Sequence, residues 1–81
     1  MTYLVEFMPR AIKDLKTLPE STRRRIIAGI DALQDDLAGD VKKLTNFTPE
    51  YRLRVGKYRV LFEVEGAKVI IYRILHRKDA Y

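Results

Sequence analysis

The sequence contains no cysteine, no tryptophan and a single histidine, His76. Without cysteine there is no disulfide framework and no thiolate metal site, and one imidazole does not build a zinc site alone. No Walker loop, dinucleotide fingerprint, paired catalytic carboxylates or Ser-His-Asp arrangement is present either. A metal or organic cofactor is therefore not expected. Glycine (4) and proline (3) are too sparse for a linker, and no repeat or low-complexity tract occurs, so one domain over residues 1–81 is expected. No apolar run approaches membrane-spanning length. The opening MTYLVEFMPR has no charged leader ahead of an apolar stretch, so a cytoplasmic location with no membrane partner is expected.

What the chain does have is basic charge, and it is unevenly placed. The net formal charge is +5. Residues 1–40 carry six Lys/Arg against seven Asp/Glu, whereas residues 41–81 carry ten against four. The second half thus holds all of the excess. A small basic protein favours polyanions, whether nucleic acid, an anionic membrane face or an acidic protein, and the anion-binding groups are expected in that half.

Hydrophobic spacing gives the order of elements. Residues 2–7 read as a short strand rich in aromatic and β-branched types. Pro9 suits the first turn of a helix, and Ala11, Ile12, Leu15 and Leu18 repeat at helical spacing over 9–17. Pro19 breaks that helix and opens a second, in which Ile26, Ile27, Ile30, Leu33 and Leu37 mark an apolar face before Gly39. So short a connection predicts an antiparallel helical hairpin. Residues 40–50 read as irregular.

From Tyr51 the period changes to two. Tyr51, Leu53 and Val55 alternate with Arg52 and Arg54. Gly56-Lys57 suits a type II′ turn that sets Val55 opposite Tyr58 and Arg54 opposite Arg59. The last strand, 68–75, is apolar nearly throughout, as for a strand covered on both sides. Its register depends on the loop at Glu65-Gly66-Ala67. A two-residue turn would bring Arg73 onto the core face, where an unpaired charge is costly. A three-residue turn with a bulge, turning Ile70, Tyr72 and Ile74 inward, is preferred. The expected fold is α+β, β-α-α-β-β-β: a helical hairpin on one face of a mostly antiparallel four-stranded sheet whose other face is basic.

Two constellations could carry chemistry. Arg52, Arg54 and Arg59, with Arg73 and Arg77, would share the basic face. Clustering like charges there destabilises the sheet unless an anion fills the cluster, and guanidinium groups grip phosphate bidentately. The alternative is a solvated face whose arginines pair with Glu63, Glu65 or Asp79. The second constellation is His76-Arg77-Lys78-Asp79-Ala80-Tyr81, which gathers an imidazole, fixed cations and a phenol, types that serve acid–base chemistry beside a phosphate. Its alternative is a frayed basic tail. Arg23-Arg24-Arg25 fan around a helix and read as a solvated surface, with contact to a large RNA as the alternative. Lys42 and Lys43 are open to either a phosphate contact or solvent.

With these residues in view, the chain resembles the RelE/ParE toxin superfamily, more closely on the RelE side, over nearly its whole length. The likeness rests on Glu6-Phe7, on Ala11-Ile12-Lys13-Asp14-Leu15 and on Val41-Lys42-Lys43-Leu44. Its most specific parts are Tyr51 through Phe62 and His76 through Tyr81. The resemblance implies a microbial-RNase-like RelE fold and a toxin of a type II toxin–antitoxin pair. Such a toxin is a metal-independent endoribonuclease that cuts mRNA in the ribosomal A site by 2′-hydroxyl attack. Its partners would be a RelB-like antitoxin and the ribosome with its mRNA and rRNA.

On the matching positions the resemblance assigns Arg54, Arg59 and Arg77 to the scissile phosphate and Tyr81 to base stacking or proton transfer. Arg52 would position the backbone, with Lys42, Lys43, Arg73 and Lys78 as further RNA contacts. Arginine stands at 52 and 54 where the best-known members carry lysine. Guanidinium hardly ever gives up its proton, so either His76 or Tyr81 takes the task of the base or proton transfer is weak. Two other outcomes of the same resemblance are a ParE-like inhibitor of DNA gyrase and a non-catalytic ribosome- or RNA-binding relative.

Overall fold

The computed structural model describes residues 1–80. Seven elements follow one another: β1 (Leu4–Phe7), α1 (Pro9–Lys16), α2 (Glu20–Ala32), β2 (Val41–Lys43), β3 (Tyr51–Val55), β4 (Tyr58–Glu65) and β5 (Lys68–His76). The strands form one five-stranded sheet in the order β1-β5-β4-β3-β2. β1 runs parallel to β5, and every other pair is antiparallel. The α+β layout holds, but the sheet is mixed and gains a fifth strand, β2, from residues that read as irregular.

The prolines set the helices. Pro9 occupies the first turn of α1, and Pro19 caps the start of α2, where Glu20 pairs with Arg24 one turn on at 2.6 Å. α2 stops at Ala32 rather than running on toward Gly39. Beyond it the chain pairs with the N-terminus: Tyr3 N–H donates to Gln34 O at 3.0 Å and Asp36 N–H to Met1 O at 2.9 Å. Asp36 and Leu37 turn to left-handed φ values of 56° and 58° to do so.

The core lies between the helices and one face of the sheet. Ala11 and Leu15 of α1, Ile26 and Ile30 of α2, and Leu33 meet Leu53, Val60, Phe62, Val69, Ile71 and Ile74. Each such Ile, Leu or Phe side chain contributes about 1.5–3 kcal/mol relative to exposure. Two residues read into the apolar stripes, Ile12 and Ile27, stay 43% and 37% exposed. They fall at the margins of helices that each have only one side against the sheet. Gly29 lets α2 lie close on β3, since a Cβ there would stand 2.9 Å from a Val55 methyl.

The β3–β4 turn is as read. Val55 faces Tyr58 and Arg54 faces Arg59, with Gly56 at φ +56° and Lys57 outside the positive region, as a II′ turn requires. The β4–β5 register differs from the expectation. Glu65 pairs directly with Lys68 across a two-residue turn, and the bulge falls mid-strand, where Leu61 faces Arg73 but Phe62 faces Ile71. Tyr72 is therefore the extra residue. Val69 and Ile71 point into the core before the bulge and Ile74 after it, while Ile70 and Tyr72 are half-buried. The bulge satisfies both demands at once: a tight turn at Gly66, and Arg73 kept off the core face.

Candidate nucleic-acid interface

Residues directly opposite in an antiparallel pair share a face, so the register places the basic side chains. One row across the sheet is Lys42, Arg52, Leu61 and Arg73; the next is Arg54, Arg59 and Leu75. Val60 and Phe62, which flank Leu61, belong to the core, so both rows lie on the face away from the helices. Leu61 is 4% exposed although it lies outside the main core cluster. It sits in its row between long cationic side chains, whose stems can cover apolar surface.

The arginines divide by their partners. Asp40, just before β2, holds two of them. Its carboxylate accepts from Arg54 Nε at 2.6 Å and Arg52 Nη1 at 3.3 Å, and its carbonyl accepts from Arg52 Nη1 at 2.9 Å and from the Arg54 N–H at 3.0 Å. The Arg54 hydrogen bond, helped by Arg52 and by both charges, outweighs desolvation and holds the Asp40 carboxyl below the usual carboxylate range. Arg73 donates to Asp14 of α1 at 2.8 and 3.3 Å. This bond raises the already high Arg73 value further. Arg73, expected as an RNA contact, thus engages Asp14 and ties α1 to β5. None of the acids read as partners, Glu63, Glu65 or Asp79, takes that part in a salt bridge among the described residues.

The remaining cations gather at the tip of the β3–β4 hairpin. Among the described residues Arg59 donates only to backbone carbonyls, Tyr58 O at 3.1 Å and Gly56 O at 3.4 Å. The Arg77 N–H bonds Lys57 O at 2.7 Å, which brings Arg77 beside the tip. Its exposed side chain, like that of Lys57, has no partner among the described residues. From the helix side the Arg25 guanidinium reaches the same turn, within 3.4 Å of where a Gly56 Cβ would stand. Arg25 and Lys57 escaped the sequence reading because one sat in an Arg triplet that fans around α2 and the other in a turn; only the packing of α2 on the hairpin joins them. A cavity of about 310 Å³ lies there, lined by Thr22, Arg25, Ile26, Val55, Gly56, Lys57 and Tyr58.

Two other residues of the expected site, His76 and Lys43, stand away from the basic rows. His76 is paired with Tyr58, a residue packed on the core, and their rings meet edge to face at 5.5 Å. The imidazole therefore stands on the helix side, apart from Arg54 and Arg59, and its Nδ1 accepts from the Lys78 N–H at 3.3 Å. Lys42 shares the Arg52 row, but Lys43 faces Tyr51 on the other side, near Glu50 at 3.8 Å and the Tyr51 ring at 5.9 Å. Lys78 is exposed after β5. Tyr81 lies outside the described residues. Chemically, the site offers fixed positive charge on an open face, with guanidinium groups at one end that have no acidic partner among the described residues, which suits gripping and polarising phosphate.

Residues 5–81 match the family described as ParE toxin of type II toxin-antitoxin system, parDE. The chain is 42% identical to Toxin RelE3 of Methanocaldococcus jannaschii over 95% of its own length and 93% of that protein's. Among solved structures it resembles the toxin of the RelB–RelE complex from Methanococcus jannaschii, with 39% identity, 89% of each chain covered and a TM-score of 0.74. The archaeal RelE–RelB complex from Pyrococcus horikoshii gives 31% identity, 99% and 100% coverage and a TM-score of 0.77.

Proposed function

Because the chain belongs to the RelE/ParE family of type II toxin–antitoxin toxins, we propose that it acts on the ribosome as an endoribonuclease that cuts mRNA in the A site. The observation that carries this reading is the set of cations at the hairpin tip, Arg59, Arg77, Lys57 and Arg25, which have no acidic partner among the described residues, beside the Asp40-bound pair Arg52 and Arg54. One 81-residue domain supplies all of them.

In the reaction the ribose 2′-oxygen attacks the adjacent phosphorus. A P–O2′ bond forms, the P–O5′ bond breaks, the 2′ proton leaves to a base and the 5′ oxygen gains one. The products are a 2′,3′-cyclic phosphate and a 5′-hydroxyl. Arg59 and Arg77 are assigned to the non-bridging oxygens, where charge grows in the transition state. Arg54 and Arg52 grip a neighbouring phosphate, and Lys42 and Lys78 extend the positive track. With His76 turned to the helix side, the proton step is assigned to Tyr81, the residue to which the family resemblance gives base stacking or proton transfer, and the mRNA held in line by the ribosome supplies the alignment. A RelB-like antitoxin, acidic enough to cover the basic face, is the partner in the cell, as the RelB–RelE complexes of similar toxins suggest. The cytoplasm is the compartment where it would meet ribosomes.

The test is the chemistry of the ends. Ribosomes carrying a defined mRNA, mixed with this protein, should yield fragments whose 5′ ends accept a kinase label without prior dephosphorylation. The match to the ParE toxins favours one other reading, inhibition of DNA gyrase. That reading predicts DNA-damage signalling in expressing cells with the mRNA left whole.

A further inference from the structure

The charge lock at Asp40 has a consequence for which RNA the protein will hold. Arg52 and Arg54 lie two residues apart on one strand face, the spacing at which two guanidinium groups could share one RNA backbone, yet both turn toward a single carboxylate. The Asp40 and Arg54 side chains are 45% and 52% exposed, while Arg52 is only 12% exposed. Water therefore screens the Arg54 contact, and a competing anion can replace it. By contrast Arg59, Arg77, Lys57 and Arg25 carry no acidic partner among the described residues.

We propose that Asp40 is a specificity-determining residue: an internal anion that stands where an RNA phosphate would bind on Arg52 and Arg54, and so weakens the hold on loose single-stranded RNA. The inference rests on the nucleic-acid reading of this face. A single strand in solution must displace the carboxylate with whatever one or two phosphates reach it. A strand fixed in place and gripped at the tip presents the next phosphate at high effective concentration, and the exchange then proceeds. Asp40 thus lowers affinity for the abundant wrong partner more than for the held one, which is how specificity arises from an unfavourable element.

The position is built to exchange side chains without losing the strand edge. The Asp40 backbone carbonyl also accepts the Arg54 N–H at 3.0 Å and Arg52 Nη1 at 2.9 Å, bonds that do not use the carboxylate. Asp40→Asn therefore removes the charge and leaves the frame, and thermal melting of the variant checks that it does.

The experiment measures binding of the full chain, without ribosomes, to a single-stranded RNA oligonucleotide with 2′-O-methyl riboses, which lacks the attacking hydroxyl. Asp40→Asn should bind about three- to tenfold more tightly than the parent protein, and its salt dependence should steepen by about 0.7, the value for one more phosphate neutralised on a single strand. Most of that gain should vanish when Arg54→Ala is added. Unchanged or weaker binding by Asp40→Asn overturns the proposal, and so does a gain of the same size without Arg54. Because no cleavage is read, a gain that depends on Arg54 alongside uncut mRNA on ribosomes would sink the nuclease reading and leave the charge lock standing.

Discussion

Asp14 and Arg73, 59 residues apart in the chain, meet at 2.8 Å, and the same carboxylate oxygen accepts the Ile74 N–H at 2.9 Å. β1 ends its pairing with β5 at Phe7 and Ile71, and the Met8 N–H adds a last bond to Ile71 O. Past that point the edge of β5 is bare, and Asp14 of α1 covers it. One side chain thus closes a sheet edge, neutralises an arginine and fastens α1 to the strand that leads to Arg77.

Removing that carboxylate is expected to destabilise the fold. Asp14→Ala leaves a part-buried N–H and a guanidinium without their acceptor, a loss of about 2–4 kcal/mol. Asp14→Asn, which can still accept one bond, should cost less. Urea unfolding measures both. A loss below about 0.5 kcal/mol for Asp14→Ala would mean that α1 is held without it.

The same residue sets a pH dependence. Burial alone would raise the Asp14 carboxyl, but hydrogen bonds from Arg73 and the Ile74 N–H, with the charges of Arg73 and Arg10, lower it below its ordinary value of 3.8. A depressed folded value stabilises the protein fully above the unfolded value, and this contribution is lost as pH falls through the folded one. Asp40 acts in the same direction. Stability from these two acids should be flat from neutrality to roughly pH 5 and decline below it. The gap between the parent protein and Asp14→Asn should close as the pH falls further. A gap that stayed constant into acid would contradict the assignment.

His76 tests the division of the two faces. Its ring packs against Tyr58 on the helix side, so His76→Gln should lower the melting temperature more than it lowers mRNA cutting. A fall in cutting of about 100-fold or more, the scale of a lost general acid or base, would instead place the imidazole on the RNA.

At the hairpin tip, Arg25→Ala and Lys57→Ala should each weaken ribosome binding and flatten its salt dependence by about 0.7–0.9 for each phosphate no longer neutralised. Arg24, next in sequence but paired with Glu20, provides the comparison. An equal effect of Arg24→Ala would show that total charge matters and the tip does not.

These residues also show what the sequence could and could not reveal. The β3–β4 hairpin was legible because local signals agree: alternation from Tyr51, and a Gly-Lys turn whose φ at Gly56 fixes the pairing of Arg54 with Arg59. Pro9 and Pro19 marked the helix starts for equally local reasons. β2 was not legible, because Val41-Lys42-Lys43 has one apolar residue and becomes a strand only by pairing with β3. The Leu61/Phe62 bulge escaped because the last strand is apolar on both faces, so alternation gives no phase. The basic face was correctly placed, but its division into locked and free arginines depends on Asp14 and Asp40. Both come from the half of the chain with no basic excess, and they reach Arg73 and Arg54 only through tertiary packing.

The most direct measurement is primer extension on an mRNA being translated in a purified system. With the parent protein, new cuts should appear within codons. They should be absent when ribosomes are left out, and absent again with an Arg59→Ala/Arg77→Ala variant that melts like the parent. Intact mRNA with folded parent protein, or undiminished cutting by the double variant, would contradict the account.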